Sequence, residues 1–345
     1  MAQKSLGVPV VAIGASAGGL EAFTALLKAL RTDTGMAFVL VQHMDPTHKS
    51  LLPTLLSRTT AMPVAEAKDG ALLEANHVYV SPSHATLTIR EGALRLEERR
   101  GGRNLPIDRC FCTLAEEKGG AAIGVLLSGV ASDGTLGLRA IKTEGGITFA
   151  QDESSARHSG MPHSAIAEGC VDFVLPPDKI AAELERIARH PYVGEPLPAQ
   201  ADHALEGESG YGKICWLLER KTGVSFREYN PSTIIRRIRR RMALDKVSDL
   251  DEYLQLLREN PAGLEALYQD IFIHVTGFFR DSEAFEALQQ QVLGKLRGSG
   301  REGRGVRAWV AGCSSGEEVY TLAMLLLEAL GDEPCASASG FSGRT

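Results

Sequence analysis

Residues 9–20 read PVVAIGASAGGL. The apolar run Pro9 to Ile13 has the length of a buried strand, the small residues after it make a tight turn, and Leu20 to Leu30 carries helical spacing. A strand, a glycine-rich turn and a helix in that order form the opening unit of a layered α/β domain, in which the helix returns the chain to a parallel neighbour. Reading onward, Ala37 to Val41, Val78 to Val80, Ile123 to Leu127, Gly146 to Ala150 and Val171 to Leu175 are further strand candidates. Leu136 to Thr143 and Lys179 to Arg189 are helices between them, and TLTIREGALRLEE from Thr86 is a hairpin that interrupts the rhythm. The pattern predicts an α/β fold with a doubly wound, mostly parallel sheet.

The chain of 345 residues is long for one domain, and a second begins after a break. HPYVGEPLPAQADHALEGESGYG, from His190 to Gly212, holds Pro191, Pro196 and Pro198 and no periodicity, which makes residues 191–210 a linker and 1–190 the first domain. Beyond it the period becomes helical. Leu264, Leu267, Tyr268, Ile271, Phe272 and Val275 form one apolar stripe, Ile234, Ile238 and Met242 another, and Leu250, Tyr253, Leu254 and Leu257 a third, so 211–290 reads as a small helical bundle. From Val306, VRAWVAG followed by CSSGEEVYTLAMLLLEAL is a new strand, turn and helix. The Ala/Ser/Gly-rich tail DEPCASASGFSGRT takes the place of the next expected strand, so 303–345 reads as the truncated start of a further α/β domain. The apolar face of LAMLLLEAL should then be poorly ordered or packed against something else.

A net charge of -6 with 23% charged residues gives no global argument for nucleic acid or membrane binding. Six cysteines without a CxxC pair form neither a disulfide framework nor a zinc pattern, so no metal is expected. The first residues lack a secretory pattern and no run approaches 18 apolar residues, so the expectation is a soluble, cytoplasmic protein without membrane insertion.

Three polar residues stand at the ends of predicted strands. Ser16 lies in the turn of the opening unit, where small neighbours permit a tight bend and a following helix offers backbone N–H groups to an oxyanion. Taken alone this turn is equally well read as a capping serine, and a dinucleotide-binding turn would need glycine at Ser16 and an acid near Gln42 and His43. His43 follows the second strand in LVQHMDP, and Asp133 follows IGVLLSG, where an N-cap is the plain alternative. In a parallel sheet these strand ends open on one crevice, so the set reads as nucleophile, base and acid. His48, His77 and His84 have no comparable position.

GASAGG around Ser16, VQHM around His43, PID at 106–108, SDGTLGLRAIK at 132–142 and SGMPHSAIAEGCVDFVLP at 159–176 are similar in order and spacing to the CheB methylesterase catalytic domain, most of all to the version in CheB-CheR fusions. The resemblance implies a protein-glutamate methylesterase and glutamine deamidase acting on methyl-accepting chemotaxis-type receptors. Ser16, His43 and Asp133 would be its triad, with release of methanol and no cofactor. The Ala17 and Gly18 N–H groups are the expected oxyanion hole. A non-enzymatic receptor-binding adaptor with relic catalytic modules has no need of all three triad residue types, and a small-molecule serine esterase would share the chemistry but not the substrate.

Arg236, Arg237, Arg239, Arg240 and Arg241 crowd one helical segment, which on charge alone is a solvated face before it is a site for nucleic acid or acidic protein. ICWLLERKTGVSFREYNPSTIIRRIRRRM at 214–242, HVTGFFRD at 274–281 and VRAWVAGCSSGEEVYTLAM at 306–324 resemble the CheR receptor methyltransferases. That resemblance implies receptor binding by the five arginines. It also implies S-adenosylmethionine contacts at His274, Thr276, Arg280 and Glu317 in a Rossmann-like methyltransferase domain, whose activity the missing strands should abolish.

Overall fold

The computed structural model describes residues 8–44, 50–99, 105–190, 192, 205, 209–226, 229–271, 278–279, 282–293, 308–311, 313 and 316–330. The chain divides into two compact units, Met1–Ile271 and Phe272–Thr345.

The first unit opens with β1 (Val10–Ala15), α1 (Gly19–Ala29) and β2 (Ala37–Gln42), as the opening motif predicts. There follow α2 (Leu52–Leu56), β3 (Val64–Glu66), β4 (Val78–Val80), the hairpin β5 (Ala85–Arg90) and β6 (Ala93–Glu98), then α3 (Pro106–Lys118), β7 (Ala122–Leu126) and α4 (Thr135–Thr143). The sheet is completed by β8 (Ile147–Gln151), α5 (Gly160–Ala167), β9 (Phe173–Leu175) and α6 (Pro177–Ala188). Seven strands lie in the order β3-β4-β2-β1-β7-β8-β9, every pairing among them parallel, while β5 and β6 pair antiparallel in a separate ribbon.

Side chains alternate across β1, so its residues feed two cores. Val11 and Ile13 join Phe23, Leu26 and Leu27 of α1 and Ile180, Leu184 and Ile187 of α6 on one face. Val10 and Ala12 join Ile107, Phe111 and Leu114 of α3 and Leu138 and Ile141 of α4 on the other. Both faces are covered, which is why the strands read as continuous apolar runs. The chain leaves β1 toward β2 on one side and returns to pair β7 on the other, so the loops after β1, β2 and β7 meet at a topological switch point.

The same unit continues with α7 (Gly210–Thr222), α8 (Pro231–Leu244), α9 (Leu250–Glu259) and α10 (Pro261–Ile271). Ser209 and Asn230 cap α7 and α8 through their side chains, and Asp249 caps α9 by accepting from the Asp251 and Glu252 N–H groups. The arginine-rich segment is α8, and its cations do not form a solvated face. Arg240 is 0% exposed: its guanidinium holds Asp172 at 2.6 Å and Asp270 at 2.8 Å, and Nε donates to the Gly146 carbonyl at 3.0 Å. Arg237 donates to the Lys142 carbonyl at 3.2 Å and to that of Thr143, at the C-terminal end of α4, where a helix dipole favours a cation. Arg239 donates to the Tyr211 hydroxyl and Arg241 to Asp245. Burial of a guanidinium is tolerated because two carboxylates and a carbonyl satisfy its planar array of donors. Further bonds run from Arg186 to the Ala243 carbonyl at 2.8 Å and between His190 and the Val247 carbonyl at 2.9 Å. These contacts gather where β8 and β9 begin, the opposite end of the strands from the switch-point loops.

The second unit contains α11 (Ser282–Leu288), a π-helical turn Gln289–Leu293 and α12 (Glu317–Leu330). Ala323 and Leu325 of α12 are buried within it. Among the described residues no helix is long and apolar enough to cross a membrane.

Candidate active site

Ser16 follows β1 directly, and its backbone is clamped from both sides. Its N–H donates to the Ser128 carbonyl at 2.9 Å, and the His43 N–H donates to the Ala15 carbonyl at 3.3 Å, so the loops after β7 and β2 are stitched to the serine turn. Gly18 takes φ +78°, a left-handed conformation that favours glycine, and a Cβ there would stand 2.6 Å from Ser128 Oγ. Gly129 must also stay bare, since a Cβ would meet Met161 Sδ at 2.2 Å and Ser16 Cβ at 3.0 Å. The serine does not cap α1: no side-chain cap bond is made there.

The three strand-end residues come together. His43 Nδ1 lies 3.2 Å from Ser16 Oγ, and His43 Nε2 lies 2.7 Å from Asp133 Oδ2. Asp133 is a pure acceptor at this distance, so the hydrogen-bond network assigns the proton to Nε2 and leaves the Nδ1 lone pair facing the serine hydroxyl. The imidazole is half-open to solvent while the Asp133 side chain is 1% exposed. Among the described residues the Ala17 and Gly18 N–H groups make no hydrogen bond, so both are free to meet an oxyanion at the serine turn.

Asp133 does not cap its own helix; it caps another. Its carboxylate accepts the N–H groups of Ile107 at 3.0 Å and Asp108 at 2.9 Å, the unpaired donors of the first turn of α3. Asp108 is buried beside it, and burial together with the Asp133 charge raises the Asp108 pKa to about 6 against the opposing pull of the Gly137 and Gly134 N–H groups.

Sequence reasoning passed over several residues here. Ser128 Oγ bonds the Ala17 carbonyl at 2.8 Å and receives the His158 N–H at 3.0 Å, and its own N–H is held by Gln151. Gln42 reaches the Ser16 carbonyl at 3.4 Å. These are cross-strand contacts with no local signature. Asp108 had one, because Pro106 is a favoured first residue of a helix and places Asp108 in its first turn.

Of the residues expected to contact a cofactor, His274, Thr276 and Arg280 lie outside the described residues. Glu317 opens α12, where its carbonyl accepts the Thr321 hydroxyl at 2.8 Å. A cleft of about 380 Å³ in the second unit is lined by Phe285, Leu288, Trp309, Val310 and Glu318 among others. Its walls are aromatic and aliphatic, with Glu318 as the acidic residue among them.

Comparison with known proteins divides the chain in three. The CheB methylesterase family matches residues 11–184, the CheR methyltransferase all-alpha domain residues 209–272, and the CheR methyltransferase SAM binding domain residues 274–337. An uncharacterized 104.1 kDa protein in the hypE 3' region of Rhodobacter capsulatus is 37% identical over 81% of this chain and 31% of its own length. Protein-glutamate methylesterase/protein-glutamine glutaminase 4 of Burkholderia thailandensis is 40% identical over 51% of this chain and 52% of its own. The chain thus spans about half or less of these relatives. The CheB methylesterase catalytic domain of Thermotoga maritima, known from its crystal structure, is 30% identical, with a TM-score of 0.49 over 52% of this chain and 98% of that one.

Proposed function

Because the chain belongs to the CheB methylesterase family, we propose that its first domain hydrolyses glutamate γ-methyl esters, and deamidates glutamine, in methyl-accepting chemotaxis-type receptors. The observation that carries this reading is the relay from Ser16 Oγ through His43 to the buried Asp133 carboxylate, at 3.2 and 2.7 Å.

In the first half-reaction Ser16 Oγ attacks the side-chain γ-carbonyl carbon while His43 Nδ1 takes the hydroxyl proton. Asp133 keeps the imidazole in the Nε2–H tautomer and stabilises the imidazolium that forms. Negative charge gathers on the former carbonyl oxygen, where the Ala17 and Gly18 N–H groups receive it. Collapse of this intermediate breaks the carbon–oxygen bond to the methoxy group, which leaves as methanol with the proton from His43. Water, deprotonated by Nδ1, then attacks the acyl-serine and frees the glutamate carboxylate and the serine hydroxyl. With glutamine the leaving group is ammonia and the product is the same glutamate.

The second domain belongs to the same reading as a receptor-directed module. Arg236 is the member of the arginine cluster offered to an acidic partner, since Arg240 is buried, Arg237 is bonded to carbonyls of the first domain, Arg239 to Tyr211 and Arg241 to Asp245. In the second unit Phe285, Trp309 and Glu318 would hold S-adenosylmethionine, which supplies an electrophilic methyl group when bound.

The test is methanol release from a methylated receptor by the purified chain, with Ser16→Ala alongside. Release by the wild type that vanishes in the variant is the expected result. No release by a folded wild type would overturn the proposal.

A further inference from the structure

Asp108 is a buried carboxylate, 7% exposed, that the chemistry above does not use. Its Oδ1 accepts the N–H of Gly134 at 2.9 Å and of Gly137 at 2.8 Å, at the start of α4. Its own N–H donates to Asp133 Oδ1 at 2.9 Å. The two aspartates therefore cap each other's helices: Asp133 takes the free donors at the start of α3, and Asp108 those at the start of α4. The bonds also close a ring around Asp133. Its side chain is tied to the Asp108 backbone, and the peptide that follows it is tied to the Asp108 side chain.

We propose that Asp108 is a positioning residue of the hydrolase site, whose carboxylate holds the 133–137 turn so that Asp133 Oδ2 stays against His43 Nε2. This inference rests on the methylesterase reading and adds to it a residue that touches neither substrate nor the reacting atoms.

The turn needs such a hold. Gly134 has φ +94°, and a Cβ there would meet Leu126 at 2.5 Å and Ile107 at 2.9 Å, so the backbone following Asp133 runs pressed against the core in a left-handed conformation. The Gly134 and Gly137 donors lie among buried residues, and the first N–H groups of a helix have no acceptor within the helix itself. Truncation of Asp108 strands both donors, and the least costly relief is for the turn to shift outward, carrying Asp133 with it. A shift of that kind leaves Ser16 and its N–H groups in place and degrades only the orientation of His43. Its signature is a fall in kcat with KM held.

The experiment compares Asp108→Ala, Asp108→Asn and Asp108→Glu in the full chain, with hydrolysis of a glutamate methyl ester peptide giving kcat and KM. A fluorophosphonate, from which Ser16 Oγ displaces fluoride to form a phosphonyl ester, counts competent serines by mass. Asn keeps an oxygen acceptor at the Oδ1 position without the charge, whereas Glu keeps the charge and moves the acceptor by one methylene. Misplacement of a catalytic group by about 1 Å is worth on the order of 100-fold, so Asp108→Ala should lose roughly that in kcat with KM within about three-fold. Asp108→Asn should recover about ten-fold or more of the loss, and Asp108→Glu should stay slow. If Asp108→Ala fails to fold, the Asn and Glu pair carries the test alone. Wild-type kcat in Asp108→Ala, equal kcat in the Asn and Glu variants, or a loss that appears only as raised KM would overturn the proposal. A folded wild type inert to both ester and phosphonate would instead overturn the methylesterase reading beneath it.

Discussion

Replacing Arg240 by methionine should loosen the helical segment from the sheet, and the size of the effect follows from what the guanidinium leaves behind. Methionine refills much of the volume, so the loss of packing is small. Asp172 and Asp270 lose ion pairs of 2.6 and 2.8 Å, and the Gly146 carbonyl loses a donor. Removing one partner of a buried ion pair costs about 3–5 kcal/mol, because the other charge is stranded. Lys142, 3.4 Å from Asp172, and Arg241, 3.9 Å from Asp270, soften that penalty. The expectation is therefore the lower end, about 3 kcal/mol, or a fall of roughly 6–12 °C in melting midpoint for a cooperative unit of this size. Acidity supplies a sign. Burial works against the ionised form of Asp172, but Arg240 and Lys142 outweigh it and hold its pKa below the usual carboxylate value. A carboxylate lowered in this way contributes stability above its unfolded pKa of roughly 3.9 and loses it as the pH falls through the folded value. In Arg240→Met the same carboxylate is buried without its main partner, its pKa rises, and protonation relieves the variant as the pH falls. The gap between wild type and variant is then widest near neutrality and narrows toward about pH 4. Thermal and urea unfolding followed by circular dichroism at pH 7, 5.5 and 4 would measure it, with Arg240→Met/Asp172→Asn/Asp270→Asn as the control that removes the stranded charges. A variant within about 0.5 kcal/mol of wild type at pH 7, or a gap that widens on acidification, refutes the reasoning.

Ser16→Ala should reduce ester hydrolysis by several orders of magnitude, on the order of 10⁴-fold or more, while the melting midpoint stays near wild type; a retained rate would remove Ser16 from the mechanism. Gly18→Ala should cost about 1–2 kcal/mol for a left-handed alanine and about 1–3 kcal/mol for crowding Ser128, and should lower kcat by moving the serine turn. Urea unfolding and ester turnover read the two effects separately, and an unchanged kcat would count against the Ala17 and Gly18 N–H groups as the oxyanion site. Asp249→Ala removes the cap of α9 and should cost about 1 kcal/mol of stability without changing ester hydrolysis, as measured by unfolding and methanol release on the same sample.

The layered α/β fold is legible in the sequence because its signals are local. Val10–Ala15 and Ala37–Gln42 are apolar runs of strand length, and the helix that joins them begins just past a glycine turn. Ser16, His43 and Asp133 are legible for a related reason, since each stands where a recognisable strand ends and parallel topology gathers those ends. α3 is harder to read: the glycines and arginines ahead of it mark a loop, and only Pro106 announces its start. The three-residue strand Val64–Glu66 is too short to show a period.

What tertiary structure decided are the partners across the chain. Nothing near Asp133 in sequence says that it caps α3, 26 residues earlier, or that Asp108 returns the cap to α4. Nothing in a run of five arginines says that Arg240 is the one buried, because its partner Asp172 lies 68 residues away and its carbonyl acceptor Gly146 lies 94 away. Which ring nitrogen of His43 faces the serine is likewise set by where the loops after β1 and β7 come to rest. Periodicity and turn chemistry act over a few residues and so are written in the sequence itself, whereas a buried charge is satisfied only by groups that the completed topology brings to it.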